Sequence, residues 1–222
     1  MPFRDRAEAG RKLANALASF KKQKPVILAL PRGGVPVAAE VALALQAPLD
    51  LILVRKIGVP FQPELAMGAV VDGAIPLIVR NEDVIKIAGV DEFTFKSICD
   101  RECAEIERRR QRYLGARERV DINGRAVIVI DDGIATGATT RAALRATRAR
   151  NPKKLVLAVP VAPTENIAEL RADADEVICL EEHQFFFAIG AYYSDFCQVS
   201  DEEVVRILDR FPMQKGAKEP AA

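Results

Sequence analysis

The chain has 222 residues, half of them hydrophobic, which suits one α/β domain with an added flap and a sizeable core. Lys plus Arg number 32 against 31 Asp plus Glu, and the net charge of +1 gives no global argument for nucleic acid as a partner. Cys99, Cys103, Cys179 and Cys197 lack paired C-x-x-C spacing and the single histidine is His183, which argues against a zinc site or a disulfide framework.

The opening stretch MPFRDRAEAGRKLANALASF carries charges throughout, so it reads as neither signal peptide nor membrane span, and a cytoplasmic protein is expected. Within it Phe3, Ala7, Leu13, Leu17 and Phe20 approximate helical spacing. PVILAL at 25–30 predicts a buried strand ended by Pro31, Gly33 and Gly34, and VPVAAEVALALQ predicts the helix after it. LDLILV at 49–54 is a second strand. The following RKIGVPFQPELAMGA mixes Gly and Pro with few periodic apolar residues and predicts a long loop of the kind that often serves as a lid.

Two short strands are expected around the turn Asp72-Gly73, then a long charged helix over 91–114 ending near Gly115. On that helix Arg108-Arg109-Arg110 reads as a solvated face. RAVIVI at 125–130, KLVLAVPV and DEVICL are further apolar strands, with helices at TTRAALRATRAR and from about Glu165 to Arg171. The aromatics Phe185, Phe186, Phe187, Tyr192 and Tyr193 read as core, the alternative being a stacking surface for a planar base, and DEEVVRILDRF reads as a closing helix. Continuous apolar strands alternating with helices predict an α/β fold, a doubly wound, mostly parallel sheet covered on both faces. One domain over 1–212 is expected, with a hood from the terminal segments and a disordered tail at 213–222.

In an open parallel sheet, ligands bind beyond the carboxyl ends of the strands. The stretch VIVIDDGIATGAT at 127–139 puts Asp131 and Asp132 at such an end, where carboxylate acceptors match the paired hydroxyls of a ribose. Ala135, Thr136, Gly137, Ala138, Thr139 and Thr140 then lead into a helix whose N-terminal amides suit a phosphate. No lysine lies in this turn, so it is not the nucleoside triphosphatase loop, and the dinucleotide G-x-G-x-x-G pattern is absent. Leu30-Pro31-Arg32-Gly33-Gly34 after the first strand places a guanidinium on a glycine turn, able to grip a diphosphate in bidentate fashion. Arg55-Lys56 ends the second strand. A Ser-His-Asp triad requires a histidine, and His183, just before QFFFAIGAYYSDF, reads as structural.

The thirteen residues from Val127 to Thr139 resemble the phosphoribosyl pyrophosphate (PRPP) signature of type I phosphoribosyltransferases. With LPRGGVPVA, RKIG.P..PELAMGAV and DFCQVSDEEV, the whole chain is similar to a bacterial group of predicted phosphoribosyltransferases. The resemblance implies a phosphoribosyltransferase-like fold and a Mg²⁺-dependent transfer of ribose 5-phosphate from PRPP to a nitrogenous acceptor, with release of pyrophosphate. Asp131 and Asp132 would bind the ribose hydroxyls, and Ala135 to Thr139, with Thr140 nearby, the 5-phosphate. A pyrophosphate loop, often with a strained peptide bond, falls at Arg32, Gly33 and Gly34. A mobile loop containing Ile57, Gly58 and Glu64 would close over the substrate, with Arg55 and Lys56 beside the diphosphate.

Further implications concern acceptor and assembly. The 6-oxopurine members carry an aspartate where this chain has Ala135, which disfavours hypoxanthine and guanine as acceptors. PRPP and an acceptor base are the expected partners, with no nucleic acid, no membrane and a homodimer. A PRPP sensor without turnover is the rival from another class.

Overall fold

A computed structural model describes residues 2–73 and 76–211, apart from the side chain of Glu64. The expected tail at 213–222 lies outside the described residues. The first helix, α1 (Arg6–Ala16), is capped by Asp5, whose carboxylate accepts from the Glu8 amide. A 3₁₀ turn at Ala18–Gln23 leads into β1 (Val26–Ala29), and α2 (Gly34–Leu45) follows. Gly10 makes the α1–α2 crossing close, because a Cβ there would lie 2.7 Å from the Val37 carbonyl oxygen. After β2 (Leu49–Leu51) come the antiparallel strands β3 (Val54–Val59), β4 (Gln62–Val71) and β5 (Leu77–Arg80). Then α3 (Glu82–Ile87), α4 (Glu92–Leu114), β6 (Ala126–Ile130), α5 (Ala138–Arg148), β7 (Lys154–Pro163), α6 (Thr164–Leu170), β8 (Glu176–His183) and α7 (Asp201–Asp209) complete the chain.

Side chains alternate across a strand, and here both faces are covered. Ile27, Ala29, Ile128, Ile130, Val156 and Ala158 face one core, shared with α1, α2, α4 and α7. Val26, Leu28, Val127, Val129, Leu155 and Leu157 face the other, shared with α5 and α6. The resulting sheet is parallel throughout, in the order β2-β1-β6-β7-β8, as the sequence predicts for a doubly wound fold. Ile128 is fully buried at its centre. Ile128→Ala is expected to cost about 2–5 kcal/mol by chemical denaturation, through lost burial and a cavity the sheet cannot collapse. A cost below about 1 kcal/mol would contradict this packing.

The loop expected over 55–69 is instead a β-hairpin. β3 and β4 pair from Val54↔Val71 to Val59↔Gln62, with shifts in register around Gly58. Ile57, Val59, Met67, Ala69, Val70 and Val71 are buried, with Met67 and Val70 in one core and Ala69 and Val71 in the other, so this hairpin is covered on both faces and shows no simple alternation. The glycines that read as loop markers serve close approach: a Cβ on Gly58 would lie 2.6 Å from the Pro63 carbonyl oxygen, and one on Gly68 2.6 Å from that of Val79. Ile57, expected in a mobile loop, is a core residue. The hairpin tip is Pro60-Phe61, with Phe61 fully exposed. The sheet β3-β4-β5 lies between α4 and α5. Among the described residues no helix is long and apolar enough to cross a membrane.

Candidate active site

The chain leaves β1 toward β2 on one side and returns as β6 on the other, so β1 and β6 flank the point where the strand order reverses. In such sheets the crevice beyond the carboxyl ends of these two strands is the binding position. The Leu30 amide donates to the Ile130 carbonyl at 2.9 Å, which brings the Pro31–Gly34 turn against Asp131 and Asp132. The Pro31–Arg32 peptide is cis. Both glycines of the turn are needed for this approach. A Cβ on Gly34 would lie 2.9 Å from the Asp131 Cα, and one on Gly33 2.0 Å from the Asp132 Oδ2. Gly33→Ala is expected to displace the acid pair and destabilise the fold by about 1–3 kcal/mol, as overpacking does. Thermal melting measures it, and an unchanged Tm would contradict the contact.

Asp132 is held on almost every polar atom. Its amide donates to Asp131 Oδ1 at 2.9 Å, its carbonyl accepts from the Tyr193 hydroxyl at 2.6 Å, and its Oδ2 accepts from Arg6 Nε at 2.7 Å. The two carboxyl groups also interact with each other, side chain to side chain. Burial, then the charge of Asp132, pushes the Asp131 carboxyl well above the usual range. Burial raises Asp132 too, while Arg6 pulls it back down.

Past the acids, Gly133 lies tight against Ile189 of the segment after β8. Ala135 and Thr136 are exposed, Gly137 takes a positive φ of 74°, and α5 begins at Ala138 with no side chain capping it. α1, α3, α4 and α7 are capped by Asp5, Asn81, Asp91 and Ser200, whereas α2 and α6, like α5, have no side-chain cap. Exposed Ala138 and Thr139 therefore stand at a helix start that offers backbone donors, while Thr140 is buried.

The cations divide. Successive strand residues point to opposite faces. Arg55 turns to α4, where Glu102 holds it at 2.7 and 2.8 Å, and Lys56 borders a cleft of about 420 Å³ with Ala138, Thr139, Arg80 and Arg141. Arg32 is half-exposed, with Nη1 3.6 Å from Asp201 Oδ1 at the start of α7. Tyr113 and Arg112 also engage Asp201, which stays ionised below the usual range because of that hydroxyl. Glu64 belongs to β4, and its side chain lies outside the described residues. The fold therefore brings Arg32, Gly33, Gly34, Asp131 and Asp132 together at the exits of β1 and β6, with the 135–140 turn following the acids and Lys56 bordering the first turn of α5, while Arg55 faces α4.

His183 ends β8, its ring 4.3 Å from Tyr192 and its Nε2 3.5 Å from Glu181 Oε2. Phe186 stacks on Tyr192, and Tyr193 is buried. Phe185 and Phe187, expected in the core, are 84% and 91% exposed because the chain turns outward after β8. Arg6, Tyr193 and Asp201 were not visible as site residues from the sequence. Arg6 carried one signal: it is a cation at the first position of a helix, where the helix dipole disfavours it.

Residues 5–195 match the family model for the phosphoribosyl transferase domain. Two Mycobacterium tuberculosis proteins named "Putative phosphoribosyl transferase", MT0597 and Rv0571c, are each 47% identical over 208 residues, covering 94% of this chain and 46% of theirs. The chain thus spans about half the length of these curated relatives. Among solved structures, TT1426 from Thermus thermophilus is 43% identical with a TM-score of 0.83, over 95% of this chain and 99% of that one. On the extent of these matches, and on a fold that carries its acid pair at the switch point of the sheet, the chain belongs to the phosphoribosyltransferase family.

Proposed function

We propose that this protein binds PRPP in the crevice between β1 and β6 and transfers its ribose 5-phosphate to a nitrogenous acceptor, releasing pyrophosphate. One observation carries the reading: two adjacent carboxyls at the β6 exit pack against a glycine turn bearing Arg32, and an uncapped helix start follows them in the chain. In this reading the pentose's 5-phosphate meets the 136–139 amides and its hydroxyls donate to Asp131 and Asp132.

In the reaction the bond from the anomeric carbon to the diphosphate oxygen breaks as the acceptor nitrogen bonds to that carbon. Positive charge grows on the sugar and negative charge on the leaving group. Arg32 moves from Asp201 to the diphosphate, and Lys56 adds a second cation when the β3–β4 hairpin, with Gly58 at its bulge and Glu64 on its second strand, closes. Arg55 joins them only by exchanging Glu102 for the substrate.

Among the described residues no group of three or more His, Cys, Asp or Glu is placed to hold a metal. The metal-binding types at the turn are carboxylate and hydroxyl oxygens, the set that magnesium prefers, so the ion fits as one carried by the diphosphate and reached by Asp131 or Asp132 through water. When bound, it supplies charge that offsets the departing diphosphate. Ala135 offers no acid or hydrogen bond to a base, so hypoxanthine and guanine are disfavoured acceptors.

The test is incubation with PRPP, magnesium and a panel of nucleobases and amines, following pyrophosphate. Release that depends on the acceptor supports transfer. PRPP binding without release across the panel would replace transfer with sensing.

A further inference from the structure

Segments 3–6 and 192–197 are zipped together behind the acid pair. The Phe3 amide donates to the Tyr192 carbonyl at 2.8 Å, and the Ser194 and Asp195 amides donate to Phe3 and Arg4 at 2.7 and 2.8 Å. This bracket delivers two side chains to Asp132: the Tyr193 hydroxyl to its carbonyl and the Arg6 guanidinium to its carboxylate. Arg6 is itself fixed three ways. Its Nε holds Asp132, its Nη1 donates to the Cys197 carbonyl at 2.8 Å, and its guanidinium carbon stands 3.9 Å over the Phe196 ring. The side chains of the pair are 11% and 10% exposed, so water screens the contact little.

We propose that Arg6 is the positioning residue of the sugar site, fixing the rotation of the Asp132 carboxylate by holding its Oδ2. The inference rests on the PRPP reading above. Arg6 does not touch substrate; it acts through Asp132. The wall opposite is Gly33, whose missing side chain is the space that the carboxylate fills. With both sides fixed, the second acid becomes a rigid acceptor for one sugar hydroxyl, and a sugar lacking that hydroxyl leaves the acceptor unpaired. The bracket also gives the terminal segments a role in specificity: residues far from Asp132 in sequence decide how it points.

The experiment compares the affinities of ribose 5-phosphate, 2-deoxyribose 5-phosphate and inorganic phosphate by calorimetry, in wild type, Arg6→Ala and Arg6→Lys. The wild type is expected to prefer ribose 5-phosphate over its deoxy analogue by at least about 10-fold. Arg6→Ala should reduce that preference below about 2-fold while phosphate affinity holds, and Arg6→Lys, which keeps charge without the fork, should fall between. Equal preference in wild type and Arg6→Ala overturns the role of Arg6 and leaves the site reading standing. If Arg6→Ala does not fold, Arg6→Lys decides: a preference undiminished from wild type overturns the proposal. Loss of phosphate affinity in step with loss of preference also overturns it, since it marks general disorder. No preference in the wild type overturns the diol reading itself, and the role of Arg6 with it.

Discussion

Asp131→Asn is expected to weaken PRPP binding by roughly 10–100-fold, the loss of one charge-assisted hydrogen bond of about 1.5–3 kcal/mol. The substitution keeps the side-chain shape. Its Oδ1 equivalent can still accept from the Asp132 amide, so the turn should stand. Asp132→Asn is a different experiment. It removes the negative charge that pairs with the buried Arg6 guanidinium, and breaking a buried ion pair costs up to about 3–5 kcal/mol, so its effect on binding mixes with unfolding. The first acid is therefore the cleaner probe of sugar recognition.

The pH dependence has a definite sign. Burial and the neighbouring charge hold the Asp131 carboxyl well above its ordinary range, so it takes up a proton earlier than a free aspartate as pH falls. A protonated carboxyl loses acceptor strength toward a hydroxyl, so PRPP affinity should fall on acidification. In Asp131→Asn that limb should flatten. Calorimetric titration across the acid range checks both; a limb unchanged in the variant would show that another group controls it.

Arg32→Ala should lower kcat by about 10²–10³-fold while ribose 5-phosphate affinity changes by less than about 2-fold. The expectation follows from position. The turn bearing Arg32 packs on the acids through Gly33 and Gly34, and its guanidinium lies 3.6 Å from Asp201 at the start of α7. A cation poised there meets the diphosphate rather than the pentose. It helps most as negative charge builds on the leaving group, which is a transition-state effect. Single-turnover kinetics paired with ribose 5-phosphate titration separate the two quantities. Equal losses in both would contradict a leaving-group role.

The parts of this architecture that were legible in the sequence are those dictated by short-range chemistry. The runs at 26–29, 126–130 and 154–163 are buried on both faces, so unbroken branched aliphatics could only mean central parallel strands. Asp131, Asp132 and the Thr-Gly turn follow directly from β6, so their placement at a strand exit came with the strand. The hairpin over 54–71 was hidden because Gly58, Pro63 and Gly68 mark loops in isolation. Here they accommodate a bulge and close backbone contacts that only the partner strand reveals. The pairing of Arg55 was hidden for a related reason: its partner, Glu102, is 47 residues away on a helix. Arg6 is the extreme case, 126 residues from Asp132 and joined to it only by the fold.

The most direct trial of the sugar site is a crystal structure grown with PRPP and magnesium. The pentose hydroxyls are expected within hydrogen-bond reach of Asp131 and Asp132, the 5-phosphate on the backbone amides before α5, and the diphosphate beside Arg32. Donor bound elsewhere on the molecule, or carboxyls still turned away from the sugar, would contradict that placement.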